Sequence, residues 1–220
     1  MTRFTRRGFL SATTVAIGAI AGCSGGSSEG EPTESGETAT PIPGQPLATP
    51  VAGDPEADVT VAVYEDYACP HCATYSESVY PKVHEDYLTD GTVRYELHDF
   101  PIPVDETVSW QAASAARAVQ DNAGDEALFT YSKRLFANQN QLGPATYADL
   151  TEGLDVDGET VRAAATGELY RPTVSDDREA GIDRGVQGTP TVFVNDEPVE
   201  WSEIAYEPVQ SAIESARSDG

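Results

Sequence analysis

The feature that most constrains this fold is a pair of cysteines at the junction of a predicted strand and a predicted helix. Residues 59–64 form an apolar, β-branched run that is typical of a buried strand. Apolar residues between positions 72 and 87 then recur at helical spacing. Cys69 and Cys72 therefore lie where the chain enters a helix, and Pro70 suits a first helical turn because no N–H partner is lost there.

This placement predicts a reactive sulfur at Cys69. A thiol at a helix start faces unpaired backbone N–H groups and the positive end of the helix dipole, and both lower its pKa. His71 adds a cation or an N–H donor close to the sulfur. Because a stabilised thiolate favours the reduced form, the disulfide of such a pair is an oxidant.

Four segments of the sequence resemble the DsbA family of thioredoxin-fold proteins. Residues 64–72, Tyr-Glu-Asp-Tyr-Ala-Cys-Pro-His-Cys, are similar to the family's active-site segment, and Cys-Pro-His-Cys matches its oxidising pair letter for letter. Residues 188–195, Gly-Thr-Pro-Thr-Val-Phe-Val-Asn, resemble its cis-proline loop and the following strand. Residues 53–57 and 98–101 resemble the entry into one core strand and the end of the next, so the resemblance covers nearly all of residues 53–218.

The resemblance implies a fold class and a set of site residues. The fold is α/β and thioredoxin-like, with a helical insertion between the βαβ half and the cis-proline/ββα half. The helical pattern over about 104–184 fits that insertion. The candidate site residues are Cys69, Pro70, His71, Cys72, Thr189 and Pro190.

The roles implied for these residues are those of a protein disulfide oxidase. Cys69 is expected to be the exposed sulfur that attacks and is attacked, and Cys72 to resolve the mixed disulfide. His71 is expected to tune the Cys69 thiolate. Thr189 and a cis Pro190 are expected to hold the backbone of a substrate chain as an added strand. The disulfide itself carries the electrons, so no organic cofactor or metal is expected.

One position departs from the family pattern. Proteins of the DsbA type carry an acid six residues before the first cysteine, and here that position is Val63. Glu65 is left unassigned, and we predict Asp66 to be a solvated loop acid. The departure leaves open which residue, if any, exchanges protons with the buried sulfur.

The first 53 residues have the features of an export and tethering segment. The pair Arg6-Arg7 and the small, apolar residues 8–22 resemble a twin-arginine signal peptide, predicted over residues 1–22. Cys23 ends a lipobox-like segment and is the predicted lipid attachment site. Residues 23–53 are rich in Ser, Gly, Glu, Thr and Pro, which predicts a flexible linker before a folded domain at 54–220. We therefore expect a protein lipid-anchored on the outer face of the cytoplasmic membrane.

Composition narrows the choice of partners. The chain has 37 acidic and 13 basic residues and a formal net charge of −24, and no cluster of Lys and Arg is present to neutralise phosphates. Nucleic acid is therefore excluded as a partner. The scarcity of lysine resembles proteins of salt-loving organisms, in particular haloarchaea. The expected partners are reduced exported proteins and, by resemblance, a DsbB-like quinone-linked membrane protein.

The sequence leaves alternatives open. A threonine before the cis-proline also occurs in disulfide isomerases and reductases of this superfamily. An isomerase would usually need a dimer, and no separate dimerisation domain is visible, so we expect a monomer. A metal-binding lipoprotein would use the same cysteines, but no methionine beyond Met1 is present to complete a copper site. A redox-silent binding lipoprotein is the remaining class.

Overall fold

The computed structural model describes residues 46–219 and shows a five-stranded mixed sheet. The strands are β1 (Val51–Gly53), β2 (Val59–Glu65), β3 (Val93–Asp99), β4 (Thr191–Val194) and β5 (Glu197–Pro198), in the spatial order β1-β3-β2-β4-β5. β2 and β3 are parallel and the other neighbours are antiparallel. β2 is central, with a neighbouring strand on each side and with both of its faces covered, which explains its apolar sequence. Val61 and Val63 have no exposed surface.

The helices are divided between a βαβ crossover and an insertion. The crossover from β2 to β3 contains α1 (Pro70–Ser78), α2 (Tyr80–Val83) and a π-helical turn (His84–Leu88). Between β3 and β4 lie α3 (Glu106–Ala137), α4 (Pro144–Asp149), α5 (Gly158–Thr166) and α6 (Arg171–Asp183), and α7 (Tyr206–Asp219) follows β5. This topology confirms the predicted thioredoxin-like α/β fold with a helical insertion.

α3 consists of two helical segments joined at Gly124. The backbone there has φ +83° and ψ 178°, a conformation outside the helical region. Positive φ values of this size suit glycine because it carries no Cβ. The following residue, Asp125, accepts a side-chain hydrogen bond from Gln120 on the first segment.

The start of the folded domain differs from the prediction. Residues 51–53, assigned to the linker, form β1 and pair with β3, and the Leu47 backbone N–H donates to the Thr173 hydroxyl. We did not predict this strand because glycine and proline residues surround its short apolar stretch. The predicted signal peptide, Cys23 and the predicted linker up to residue 45 lie outside the described residues. Within residues 46–219, no helix combines the length and apolarity that crossing a membrane requires.

Candidate active site

The two cysteines lie at the N-terminus of α1, as the strand-to-helix pattern predicted. Cys69 is the N-cap residue, with extended backbone and no side-chain cap, and Pro70 occupies the first turn. Both thiols are free. Cys72 is fully buried, and Cys69 is only 5% exposed, so the prediction that Cys69 is an exposed sulfur is wrong. The Cys69 thiol donates to the carbonyl oxygen of Thr189 at 3.4 Å, from a loop that the sequence alone could not bring next to it.

The environment of Cys69 stabilises its thiolate. A hydrogen bond from the Cys72 thiol is the main cause that lowers the pKa of Cys69 to about 5, against the opposing effect of burial. Hydrogen bonds from the Thr189 side chain and from the backbone N–H groups of Cys72 and His71 lower the pKa further. The Thr189 hydroxyl has no partner when Cys69 is a thiol, among residues 46–219, and so is free to donate to the thiolate.

Cys72 has the opposite character. Burial is the main cause that raises the pKa of its thiol well above the ordinary value, and the hydrogen bond that it gives to Cys69 and the charge of Glu65 add to it. One group favours its ionised form: the backbone N–H of Asp66 donates to Cys72 Sγ at 3.4 Å. At neutral pH the reduced pair therefore holds one proton, on Cys72.

Glu65, left unassigned in the sequence, is a buried acid behind the cysteines. It ends β2, is 6% exposed, and its Oε1 has no hydrogen-bond partner within the described part of the chain. Burial, then the charges of Cys69 and Asp99, raise its pKa well above the ordinary value. Since side chains alternate along a strand, Glu65 is on the same face as Val63. That alternation is the sequence signal that could have identified it.

Asp66 is not the solvated loop acid that we predicted. It is 2% exposed, and its Oδ1 accepts the Ala68 backbone N–H at 2.7 Å. Its Oδ2 accepts the Ile102 backbone N–H at 2.7 Å and the Ser109 hydroxyl at 2.8 Å. Burial raises the pKa of this carboxyl, although the three hydrogen bonds oppose the effect. Asp66 therefore connects the active-site loop with the loop after β3 and the first turn of α3.

Pro190 follows a cis peptide bond and lies beside a groove next to Cys69. The groove has a volume of about 580 Å³ and runs between α1 and the segment after β5. Its lining residues are His71, Thr74, Thr189, Pro190, Trp201, Ser202, Glu203 and Ile204. The structure thus brings together all six candidate residues. His71 is exposed, and the contribution to the Cys69 thiolate comes from its backbone N–H.

A buried ion cluster lies next to Glu65. Arg117 is 1% exposed, and its guanidinium donates to Asp99 at 2.6 Å and to Asp177 at 2.5 Å. Asp99 is the residue opposite Glu65 in the β2–β3 register. Burial raises the pKa of Asp99 to about 6, against the stabilising charge of Arg117. The sequence could not reveal this cluster, because its members come from β3, α3 and α6.

Among residues 46–219, no group of three or more histidine, cysteine, aspartate or glutamate side chains has the geometry of a metal site. The chemistry that the arrangement supports is that of the two sulfurs and the buried acid. A stabilised thiolate beside a protonated, buried thiol is the pattern expected of a thiol–disulfide exchange centre.

Comparisons with known proteins agree with this geometry. The thioredoxin family model matches residues 46–215. The chain is 27% identical to disulfide bond formation protein D of Bacillus subtilis over 83% of each chain. It is 33% identical to Na(+)/H(+) antiporter NhaA 1 of Salinispora arenicola over 70% of this chain, but spans only 22% of that protein.

Two solved structures share the fold. Oxidised BdbD from Bacillus subtilis superposes with a TM-score of 0.71 at 25% identity, covering 80% of this chain and 98% of that one. DsbA from Chlamydia trachomatis has a TM-score of 0.69 at 21% identity, covering 81% and 96%.

Proposed function

This chain belongs to the thioredoxin family, and on that premise we propose that it is an extracytoplasmic thiol–disulfide oxidoreductase that oxidises the thiols of exported proteins. The observation that carries the proposal is the asymmetry of the two sulfurs. The pKa of Cys69 is lowered to about 5, whereas the pKa of Cys72 is raised. Stabilisation of one thiolate favours the reduced pair, so the Cys69–Cys72 disulfide is a good electron acceptor.

The reaction proceeds by two exchanges. A substrate thiolate attacks Cys69 Sγ, the Cys69–Cys72 bond breaks, and Cys72 leaves with the electron pair and takes up a proton. A second substrate thiolate then attacks the substrate sulfur of the mixed disulfide, and Cys69 leaves as the stabilised thiolate. The substrate gains a disulfide and the pair gains two electrons. In the reverse direction, Cys72 resolves the mixed disulfide by attacking Cys69 Sγ.

Glu65 supplies the proton that Cys72 needs. Cys72 is shielded from water, and burial makes its thiolate costly, so its departure requires a nearby acid. Glu65 is close enough for its carboxylate charge to raise the pKa of Cys72, and burial raises the pKa of Glu65 itself, so this carboxyl is suited to hold a proton and pass it to Cys72. During reoxidation the same carboxylate accepts the proton. Glu65 thus takes the role that Val63 cannot perform.

Thr189 and Pro190 hold the substrate. The substrate chain lies in the groove between α1 and residues 201–204, where its backbone can pair with Thr189 beside Cys69. Pro70 sets the first turn of α1, and His71 contributes its backbone N–H to the thiolate.

We place the domain outside the cytoplasmic membrane. Export by the twin-arginine route through residues 1–22 and lipid attachment at Cys23 are proposed from the sequence, and residues before 46 tether a monomeric domain. A DsbB-like quinone-linked membrane protein would accept the two electrons. The excess of acidic residues suits a domain working in concentrated salt.

The deciding experiment traps the mixed disulfide. Cys72→Ala, first converted at Cys69 to a mixed disulfide with 5-thio-2-nitrobenzoate and then incubated with reduced exported proteins in high salt, should accumulate covalent complexes as the substrate thiolate attacks Cys69 Sγ and the small thiol leaves. The Cys69→Ala/Cys72→Ala double variant, treated in the same way, should accumulate none. Absence of complexes, together with failure of the wild-type disulfide to oxidise a reduced substrate, would falsify the proposal. A reduction potential near that of thioredoxin, about −270 mV, would instead assign the domain as a reductase.

A further inference from the structure

The helical insertion holds the active-site loop at both of its ends. We propose that α3 and the 3-10 turn that follows it (Gln139–Gln141) form a clip on residues 66–69, in which Ser109 of α3 and Gln139 of the turn are positioning residues that fix the reactive geometry of Cys69 and Cys72. The inference rests on the proposed function and assigns a part in it to two residues that contact neither sulfur.

The first argument is geometric. Ser109 and Gln139 are separated by 30 residues, which would place them about 45 Å apart along a straight helix. Yet both bind a loop of four residues, whose ends are at most about 11 Å apart. The chain therefore folds back at Gly124, where the two segments of α3 join, and the open end of this hairpin closes on the loop.

At one end, Ser109 acts through Asp66. The Ser109 hydroxyl donates to Asp66 Oδ2 at 2.8 Å, while Oδ1 accepts the Ala68 N–H at 2.7 Å. These bonds fix the orientation of the Asp66 residue, whose own backbone N–H donates to Cys72 Sγ. Among residues 46–219, that N–H is the hydrogen-bond donor that favours an ionised Cys72. The Ser109 contact therefore assists Cys72 as a leaving group.

At the other end, Gln139 holds two backbone carbonyls. Its Nε2 donates to the carbonyl oxygens of Tyr67 at 2.8 Å and of Cys69 at 2.9 Å. The Tyr67 ring also packs on Phe136, with ring centroids 4.8 Å apart. The Cys69 carbonyl accepts from the Cys72 N–H as well, so fixing it orients the first turn of α1. The N–H groups of that turn stabilise the Cys69 thiolate.

The test removes each contact in the intact domain. The variants are Ser109→Ala, Gln139→Met and their combination. The controls are Thr107→Ala and Gln141→Met, which change exposed residues in the same two turns. The readouts are the pH titration of the Cys69 thiolate, followed by its ultraviolet absorbance, and the equilibrium constant with glutathione.

Loss of the clip should raise the pKa of Cys69 in the double variant by about half a unit or more, which lowers the ratio of thiolate to thiol at a given pH about threefold. The glutathione equilibrium should shift by a similar factor toward a weaker oxidant, and the controls should match the wild type. An unchanged pKa and equilibrium, in variants whose unfolding free energy nevertheless falls, would show a purely structural role and overturn the inference.

Two provisions keep the test decisive. If the double variant does not fold, Gln139→Glu replaces it: a carboxylate facing two carbonyl oxygens cannot donate, so the pKa of Cys69 should rise above that of Gln139→Met. Equal values in the two variants would overturn the clip at Gln139. The thiolate titration needs no substrate, so a wild-type protein that fails to oxidise substrates would count against the proposed function alone.

Discussion

The sulfur of Cys69 and the carbonyl oxygen of Thr189 lie 3.4 Å apart, although 120 residues separate them in the sequence. The contact joins the start of α1 to the loop before β4. Thr189 can form a hydrogen bond with the sulfur in either protonation state, since its carbonyl accepts from the thiol and its hydroxyl can donate to the thiolate. One residue therefore lines the groove beside Cys69 and also lowers the pKa of the Cys69 thiol.

Replacing the Thr189 hydroxyl should make Cys69 less acidic. In Thr189→Val the carbonyl remains but the donor to the thiolate is lost, so we expect the pKa of Cys69 to rise from about 5 by roughly half a unit to one unit. Ultraviolet titration of the thiolate measures this. Thr74→Val is the matched control, because Thr74 lines the same groove but donates to the Pro70 carbonyl. Identical titrations for Thr189→Val and wild type would contradict the assignment.

Stability should depend on pH differently in the two redox states. The folded pKa of Cys69, about 5, is below its value of about 8.5 in an unfolded chain. Between these values the unfolded reduced chain binds more protons than the folded one, so the stability of the reduced form rises with pH over that window. The oxidised form lacks this contribution. Urea unfolding of both forms at constant high salt measures the difference between their unfolding free energies. This difference should change steadily in favour of the reduced form from pH 5 to pH 8.5, and a constant difference would refute the lowered pKa.

Glu65→Gln should separate stability from catalysis. Burial raises the pKa of Glu65 in the folded protein, whereas in the unfolded chain this carboxyl ionises near its ordinary pKa of about 4.3. Above about pH 4.3 the folded protein therefore binds more protons than the unfolded chain, and stability falls as pH rises. The neutral amide removes that penalty, and we expect a gain in unfolding free energy on the order of 1 kcal/mol at pH 7, absent below pH 4.

The same variant should be slower. Without the proton donor, reduction of the disulfide by a substrate thiol should slow about tenfold or more, measured by stopped-flow fluorescence. Glu85→Gln, at an exposed position of the π-helical turn, should change neither property. A Glu65→Gln variant with wild-type rates would remove Glu65 from the proposed mechanism.

Arg117→Met should destabilise the domain strongly. The change leaves Asp99 and Asp177 without their cation, and breaking a buried ion pair in this way costs about 3–5 kcal/mol. The loss should shrink as pH falls toward about 6 and level off below it, because without Arg117 the pKa of Asp99 lies above that value and protonation removes the uncompensated charge. Arg162→Met, which breaks an exposed pair with Glu159, should leave the unfolding free energy unchanged. Chemical denaturation at several pH values distinguishes the two.

Local sequence patterns predicted the parts of the fold that local physics determines. The apolar run of β2 and the spacing after it located Cys69 and Cys72 at a helix start, where backbone N–H groups are available. The position of Thr189 beside Cys69 came only from the resemblance to a family, because no local pattern relates residues 120 apart. Residues 51–53 were not predicted as a strand because glycine and proline surround them. They form a strand by pairing with β3, which is distant in the sequence.

Burial of acids was the main error, and it has one physical cause. Glu65 and Asp66 look like surface residues because carboxylates are usually solvated. Each is buried because distant segments cover it. Asp66 is covered by the Ile102 loop and Ser109. Glu65 lies in a small space lined by side chains of α1, β3 and α3, among them Ser76, Leu97 and Phe129. Gln139 had no signal at all, since its role depends on the fold-back at Gly124.

The spacing of Cys69 and Cys72 has a practical consequence. With no other cysteine in residues 46–219, an isolated domain has a single intramolecular pairing open to it, and it cannot be trapped as a scrambled isomer. Its core contains no cross-link that must survive reduction. The polypeptide can therefore be made in a reducing cell, purified without a refolding step, and set to either oxidation state afterwards by the choice of glutathione buffer.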